Sequence, residues 1–310
     1  MEPNSYKSKG LLFWIRAARL RTLPLSISGI LAGSGWAVIQ GSFRGSIFLS
    51  ALLTTVFFQV LSNFANDYGD GVKGTDQKGR VGPERLLQHS NAAKKILKRV
   101  LYLLTVLSIV SAGCTLYLSF GFDVTYWLIF MALTLASITA AIGYTVGKHA
   151  YGYLGLGDVF VFLFFGALAV WGSAFLYTKT WDPYATWPLV VVIGMGSVAV
   201  LNLNNMRDAP NDVLSGKHTL AVRLGPRYML WYHALLIISI LSMTTYWIAI
   251  QLSEWTLVIL YIPVFFLLKH LRISWLVRTP NNWDGELKTV ALSTFFWSLG
   301  WFLWTIAAQF

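Results

Sequence analysis

Six of the thirteen carboxylates in this chain lie in or shortly after two short polar stretches. The first reads NDYGDGVKGTD, from Asn66 to Asp76, with Glu84 shortly behind it, and the second reads NLNNMRDAPND, from Asn202 to Asp212. Both repeat one spacing, i, i+3 and i+7, which puts three polar side chains on one face of a helix. The residues that share this spacing are Asn63, Asn66 and Asp70 in the first set, and Asn205, Asp208 and Asp212 in the second.

The oxygen atoms of Asn and Asp are hard ligands, and this composition favours Mg²⁺ or Ca²⁺. Neither stretch contains a Cys or His cluster of the kind that binds zinc. The carboxyl end of a helix carries partial negative charge and repels a phosphate, so a cation is needed between the two. Two such clusters facing one cavity therefore predict a site where Mg²⁺ ions carry a diphosphate.

Basic residues near both stretches could take the remaining phosphate charge. They are Lys73, Arg80 and Arg85 in the first loop, Lys148 between the two stretches, and Arg207, Lys217 and Arg223 beside the second. The alternative interpretation is that each is an ordinary positive charge of a cytoplasmic loop. The sequence leaves both interpretations open for any one of them.

The elements that carry these residues are membrane helices. Of 310 residues, 56% are hydrophobic and only 12% are charged, whereas about 25% charged is usual for soluble domains. A membrane-spanning helix needs roughly 20 mostly apolar residues. Nine such runs are present, and they predict an all-α bundle around a central cavity. They lie near 23–41, 46–66, 97–119, 125–143, 157–177, 186–206, 229–250, 254–270 and 289–309.

Each acidic stretch follows an even-numbered span, so both should open on the same side of the membrane. Gly69, Gly71 and Pro210 predict that the helices loosen there. The last carboxylate of each set is then expected on a turn.

The distribution of Lys and Arg fixes the predicted orientation. With nine spans and a cytoplasmic N-terminus, only Arg44 and Lys179 of the 24 basic residues fall outside. An excess of Lys and Arg in the cytoplasmic loops is typical of a protein in the plasma or inner membrane. The net charge of +11 therefore needs no nucleic-acid partner. Segment 1–22 is predicted to be a cytoplasmic amphipathic piece on the bilayer surface, and 23–310 a single transmembrane domain.

Several motifs together resemble one protein family. NDYGDGVKGTD, RVGPERLLQ (80–88), YTVGKHAYGYLGLGD (144–158) and NNMRDAPND followed by GKHTLAVRLG resemble the membrane prenyltransferases of the UbiA superfamily. The GTD…GPER and YGYLGLGD stretches are similar to the branch that prenylates 1,4-dihydroxy-2-naphthoate in menaquinone synthesis. The similarity extends over nearly the whole chain.

The resemblance implies both substrates and site residues. A polyprenyl diphosphate would lose its diphosphate to give an allylic cation, and 1,4-dihydroxy-2-naphthoate would capture the cation and lose CO₂, forming demethylmenaquinone. The implied Mg²⁺ ligands are Asn66, Asp70, Asp208 and Asp212, with Asp67 and Asp76 either assisting them or supporting the loop. The implied diphosphate ligands are Lys73, Arg80, Lys148 (from a YxxxK pattern) and Arg207. Tyr144 would face the cation or the acceptor.

Three alternatives remain at this stage. A member of the same superfamily could use another aromatic acceptor, of the 4-hydroxybenzoate or haem type. A CDP-alcohol phosphotransferase also opens with DxxDG, but Lys73-Gly74 stands where that motif requires Ala-Arg. A transporter would carry its acids at mid-membrane, whereas these acids lie at helix ends.

Overall fold

The computed structural model of the chain describes residue 14 and residues 18–74, 91–147, 150–250 and 255–309. All regular structure in these ranges is helical. Nine of the described helices are long and apolar enough to cross a membrane, which confirms the predicted fold class and number of spans. The helices are α1 (Leu23–Ile39), α2 (Gly45–Lys73), α3 (Asn91–Phe120), α4 (Val124–Gly143), α5 (Gly157–Thr178), α6 (Pro183–Leu214), α7 (Leu220–Ile250), α8 (Tyr261–Leu276) and α9 (Pro280–Ala307).

Helices α2 and α6 are longer than the sequence predicts. They end at Lys73 and Leu214, whereas their predicted spans end at 66 and 206. The expectation that they loosen at Gly69, Gly71 and Pro210 is wrong, because all three residues lie inside regular helix. A hydropathy run ends where polar side chains begin, but intrahelical hydrogen bonds continue past that point. Asp70 and Asp212 are therefore helical residues rather than turn residues.

The nine helices enclose a common interior. Each helix packs on the next along the chain from α1 to α4 and from α5 to α9, and α9 packs back against α1. Helices α1 and α6 are innermost, with 72% of each membrane-length window buried, whereas only 6% of the α4 window is buried. The main apolar core lies among α1 and α5 to α9 and includes Trp247, Trp297 and Trp301. This core holds α6, the carrier of the second acidic set, in a fixed position.

Short non-α segments join the helices around the site. A 3₁₀ turn, Leu20–Thr22, leads into α1, and another, Tyr151–Tyr153, precedes α5. Trp14 stacks on Phe64 of α2 with ring centroids 6.0 Å apart. Apart from residues 14 and 18–22, the predicted amphipathic segment 1–22 lies outside the described residues, so its membrane-surface role stays a prediction.

Candidate active site

A cavity of about 450 Å³ runs through the bundle. Its wall on α2 extends from Ala51 to Asp70, a length of about 28 Å at 1.5 Å per helical residue. That length is close to the ~30 Å thickness of bilayer hydrocarbon. The inner part is mainly apolar, with Ile30, Leu133 and Phe164 on its wall. The cavity therefore joins a polar mouth to a long apolar channel.

The two acidic sets meet at the polar mouth of this cavity. Side chains from both sets line the same cavity. They are Asn63, Asn66 and Asp70 from α2, and Asn205 and Asp208 from α6, with Asn204 beside them. Because α2 and α6 both end near the mouth, their carbonyl ends add partial negative charge there. The arrangement suits a cation more than a bare phosphate.

Asp67 is placed differently from Asp70. It is buried, lies off the described cavity lining, and forms an ion pair with Arg19 in the segment before α1. A buried carboxylate needs such a partner, because an unpaired charge is costly away from water. Asp67 therefore ties the N-terminal segment to α2.

Asp208 is held by an arginine from its own helix. Nε and Nη2 of Arg207 donate to the two carboxylate oxygens of Asp208 at 2.8 and 2.9 Å. Nη1 of Arg207 donates to Oδ1 of Asp284 on α9 at 2.6 Å. Arg207 was predicted as a diphosphate ligand, and it does line the cavity. Three of its five N–H donors nevertheless serve two carboxylates.

Asp212 lies one turn beyond Asp208 and off the described lining. Its Oδ1 is 3.9 Å from Nζ of Lys217, and Lys217 does line the cavity. Asp212 thus holds the ammonium group of Lys217 near the mouth. Its predicted role as a metal ligand stays a prediction.

Tyr153 is a site residue that could not be selected from its sequence position alone. Its hydroxyl donates to Oδ1 of Asp70 at 2.8 Å. The Nζ atoms of Lys73 and Lys217 lie 3.7 and 5.2 Å from its ring centroid, within cation–π range. One aromatic ring therefore gathers two lysines beside the carboxylate of Asp70. The only available signal was the position of Tyr153 in YGYLGLGD, a motif with no assigned role.

Tyr144 directly follows α4 and lines the cavity. Its carbonyl accepts from Gly152 N–H at 3.0 Å, and a Cβ at Gly152 would lie 2.7 Å from that oxygen. The glycine therefore lets the YGY turn pack on Tyr144. Burial, reinforced by the charge of Asp70, raises the pKa of Tyr144 far above its ordinary value. Its phenol is neutral at physiological pH.

A second close approach joins α2 to the segment after α4. A Cβ at Gly69 would lie 2.4 Å from Oγ1 of Thr145. Thr145 donates from that same oxygen to the carbonyl of Ala65 at 3.1 Å. Gly69 therefore sets the distance between Asp70 and the Tyr144 segment.

The donor set at the mouth fits a hard divalent cation. Asn66, Asn205, Asp70 and Asp208 supply amide and carboxylate oxygens, the ligands that Mg²⁺ prefers. The described residues include no group of three or more His, Cys, Asp or Glu placed to hold a metal. A cation here would depend on Asn oxygens and on oxygens of its ligand, and Mg²⁺ commonly shares its coordination with substrate phosphates. Asp76, Arg80 and Lys148 lie outside the described residues, so their predicted roles stay predictions.

Comparison with known proteins agrees with this geometry. Residues 26–300 match the model of the UbiA prenyltransferase family. The chain belongs to that family. The resemblance inferred from the motifs is thereby confirmed, and the acidic sets on α2 and α6 both fall within the matched range.

Relatives in this family share substantial identity with the chain. A 1,4-dihydroxy-2-naphthoate octaprenyltransferase of Haemophilus influenzae is 39% identical over 276 residues, covering 88% of each chain. The Escherichia coli protein of the same name is 42% identical over 226 residues, covering 73% of each. Among solved structures, a UbiA homolog from Aeropyrum pernix has a TM-score of 0.66 at 11% identity, covering 92% of this chain and 97% of that one. A UbiA homolog from Archaeoglobus fulgidus bound to DMAPP and Mg²⁺ has a TM-score of 0.60 at 14% identity, covering 93% and 98%. At these identities the two solved structures show that the fold is shared.

Proposed function

We propose that this chain transfers a polyprenyl group from polyprenyl diphosphate to 1,4-dihydroxy-2-naphthoate, with loss of CO₂, to form a prenylated 1,4-naphthalenediol, the reduced (quinol) form of demethylmenaquinone. The observation that carries the proposal is the meeting of the two acidic sets at the mouth of one long apolar cavity. The acidic sets could hold the cation that a diphosphate head needs, and the apolar cavity could hold a polyprenyl tail. The names of the relatives at 39% and 42% identity support the choice of acceptor.

In this proposal Asn66, Asp70, Asp208 and Asp212 would hold Mg²⁺ at the mouth. When bound, Mg²⁺ would neutralise the negative charge that develops on the departing diphosphate. Lys73, Arg80 and Lys148 would take further phosphate charge, because an ammonium or guanidinium contact strengthens as the leaving group becomes more anionic. Lys217 joins this proposed set, since it lines the cavity.

The reaction itself places few demands on protein acid–base groups. The carbon–oxygen bond to diphosphate breaks, and the allylic carbon bonds to the ring carbon that carries the carboxylate. The bond from that ring carbon to the carboxylate then breaks to release CO₂, and its electrons restore the aromatic 1,4-diol. Tyr144 is neutral, so it offers the negative face of its ring to a developing cation rather than a phenolate that would trap it. The apolar wall beyond it excludes water that would quench the cation.

We also propose that the protein lies in the inner or plasma membrane with the site facing the cytoplasm. The asymmetry of Lys and Arg supports this orientation. The diphosphate would then arrive from the cytoplasm, while the tail lies along the bilayer direction.

Diphosphate release by the purified protein tests the proposal. With polyprenyl diphosphate and Mg²⁺, release should require 1,4-dihydroxy-2-naphthoate and should not occur with 4-hydroxybenzoate. Asp70→Asn and Asp208→Asn should each lower the rate roughly 100-fold or more, the scale of losing one electrostatic contact made in the transition state. Release with 4-hydroxybenzoate alone, or no effect of either substitution, would contradict it.

A further inference from the structure

We propose that Asp284, on the last helix, is a positioning residue that acts through Arg207 to orient Asp208 and to keep its charge available to a divalent cation. The inference rests on the proposed function, because it assumes that Asp208 helps to hold that cation. Asp284 belongs to neither acidic stretch, and it lies 76 positions after Asp208 in the sequence.

The geometry links three helical residues into one chain of charged hydrogen bonds. Asp208 receives two bonds from Arg207, and Asp284 receives the third, at 2.6 Å. Arg207 is only 4% exposed, so its guanidinium has little access to water. The planar guanidinium fixes the directions of all three donors. The position of Asp284 therefore fixes the plane of Arg207, which in turn fixes the carboxylate plane of Asp208.

The charge balance gives Asp284 a second effect. With both carboxylates ionised, the trio of Asp208, Arg207 and Asp284 carries a net charge of −1. Without the charge of Asp284 the trio would be neutral, and Arg207 would fully compensate Asp208. The nearby Arg21 lies 3.9 Å from Asp284 and is about half exposed, so water screens much of its contribution. Asp284 thus adds one negative charge beside Arg207 at the wall of the mouth.

Helix capping alone does not account for Asp284. An acid in the first turns of a helix is favoured by the helix dipole. The N-cap of α9 is, however, already provided by Thr279, which accepts from Asn282 N–H at 3.4 Å. The short bond to a buried guanidinium from another helix is an additional interaction, directed toward the cavity wall.

The test measures cation binding rather than turnover. The thermal unfolding midpoint of the detergent-purified protein is followed while MgCl₂ is titrated at a fixed concentration of inorganic diphosphate. Asp284→Asn should raise the Mg²⁺ concentration for half-maximal stabilisation roughly tenfold, the order of effect expected when one unit charge near a cation is removed at an effective dielectric constant near 20. Asp284→Glu should recover most of the wild-type value because it restores the charge. Asp284→Ser removes the same charge with a smaller side chain, and it replaces the Asn variant if that protein does not fold.

The matched control is Glu286→Gln on the same helix. Glu286 pairs with His270 at 2.6 Å rather than with Arg207, so this variant should bind Mg²⁺ as the wild type does. An unchanged Mg²⁺ requirement in Asp284→Asn, or an equal shift in Glu286→Gln, would overturn the inference. Failure of Asp284→Glu to restore binding would overturn the charge argument. A wild-type protein that shows no Mg²⁺-dependent stabilisation by diphosphate would instead contradict the proposed function.

Discussion

The hydroxyl of Tyr153 donates a 2.8 Å hydrogen bond to Oδ1 of Asp70, while the ammonium of Lys73 lies 3.7 Å from the centroid of the same ring. The turn before α5 therefore orients a carboxylate on α2. A parallel arrangement holds Asp208, whose two oxygens accept from Arg207. Each acidic set thus has an aspartate at the cavity wall whose carboxylate accepts from a neighbouring side chain, Tyr153 for Asp70 and Arg207 for Asp208.

Tyr153→Phe should isolate the hydrogen bond to Asp70, because phenylalanine keeps the ring that contacts Lys73. A hydrogen bond to a charged group is worth about 1.5–3 kcal/mol, so kcat/KM for the prenyl diphosphate should fall roughly 10- to 150-fold. Tyr153→Leu should lose more, since a cation–π contact contributes about 0.5–1 kcal/mol at an exposed site. Steady-state kinetics measures both. Tyr184→Phe, at a position 94% exposed, is the control, and wild-type kinetics for Tyr153→Phe would refute the positioning role.

Asp67 and Asp70 should respond differently to substitution, although only two residues separate them. Asp67 is 1% exposed and paired with Arg19, and removing one partner of a buried pair costs about 3–5 kcal/mol. Asp67→Ala should therefore lower the thermal unfolding midpoint strongly, whereas Asp70→Ala should mainly abolish turnover.

A double-mutant cycle tests the pairing of Asp67 with Arg19. The Arg19→Gln, Asp67→Asn protein should be more stable than the sum of the two single effects predicts, because neither charge is then left without its partner. Strictly additive changes in the unfolding midpoint would show that the pair contributes nothing.

Gly69→Ala should push α2 away from the segment after α4. The added Cβ would lie 2.4 Å from Oγ1 and 2.6 Å from the carbonyl carbon of Thr145, and overpacking of this kind typically costs about 1–3 kcal/mol. Both the unfolding midpoint and kcat should fall. Gly143→Ala is the matched control, because its Cβ would meet no atom within 4 Å. Equal behaviour of the two variants would argue against the close approach.

Much of this architecture could be predicted from the sequence, since hydropathy and charge report the bilayer directly. The nine spans and the polar faces that carry Asp70 and Asp208 follow from spacing alone. The ends of α2 and α6 could not be predicted from hydropathy, because both helices continue beyond the apolar run.

The partners of the site residues could not be predicted in the same way. Asp284 and Arg207 are 77 positions apart, and Tyr153 and Asp70 are 83 apart. No periodicity links residues on different helices, and a single charged residue near a membrane helix end usually indicates only orientation. Packing of α9 on α6 and of the YGY turn on α2 is what brings these groups together.

The pKa values of two tyrosines predict how stability depends on pH. Burial raises the pKa of Tyr151 to about 12, and burial followed by the charges of Asp70 and Asp158 raises that of Tyr144 further. The neutral phenols are therefore favoured in the folded state. Their contribution to stability is complete below the ordinary tyrosine pKa of about 10, and it is lost as pH rises from there through the folded-state pKa.

Thermal unfolding across alkaline pH tests this linkage. The midpoint of the wild type should fall above about pH 10, and Tyr151→Phe should fall less steeply between about pH 10 and 12, because one raised phenol is absent. The unfolding midpoints of wild type and Tyr151→Phe should change in parallel from about pH 7 to 9, where neither phenol titrates. Identical alkaline slopes would contradict the assignment.

Mass spectrometry of the reaction product tests the central claim most directly. Purified protein is incubated with a polyprenyl diphosphate, Mg²⁺ and 1,4-dihydroxy-2-naphthoate labelled with ¹³C in its carboxyl group, and both the lipid product and the gas phase are analysed. The predicted result is a prenylated 1,4-naphthalenediol (or the quinone that air oxidation makes from it) without the label, labelled CO₂ in equal amount, and roughly 100-fold less product from Asp70→Asn. A prenylated product that retains the labelled carboxyl group, or prenyl transfer to 4-hydroxybenzoate in its place, would contradict the account.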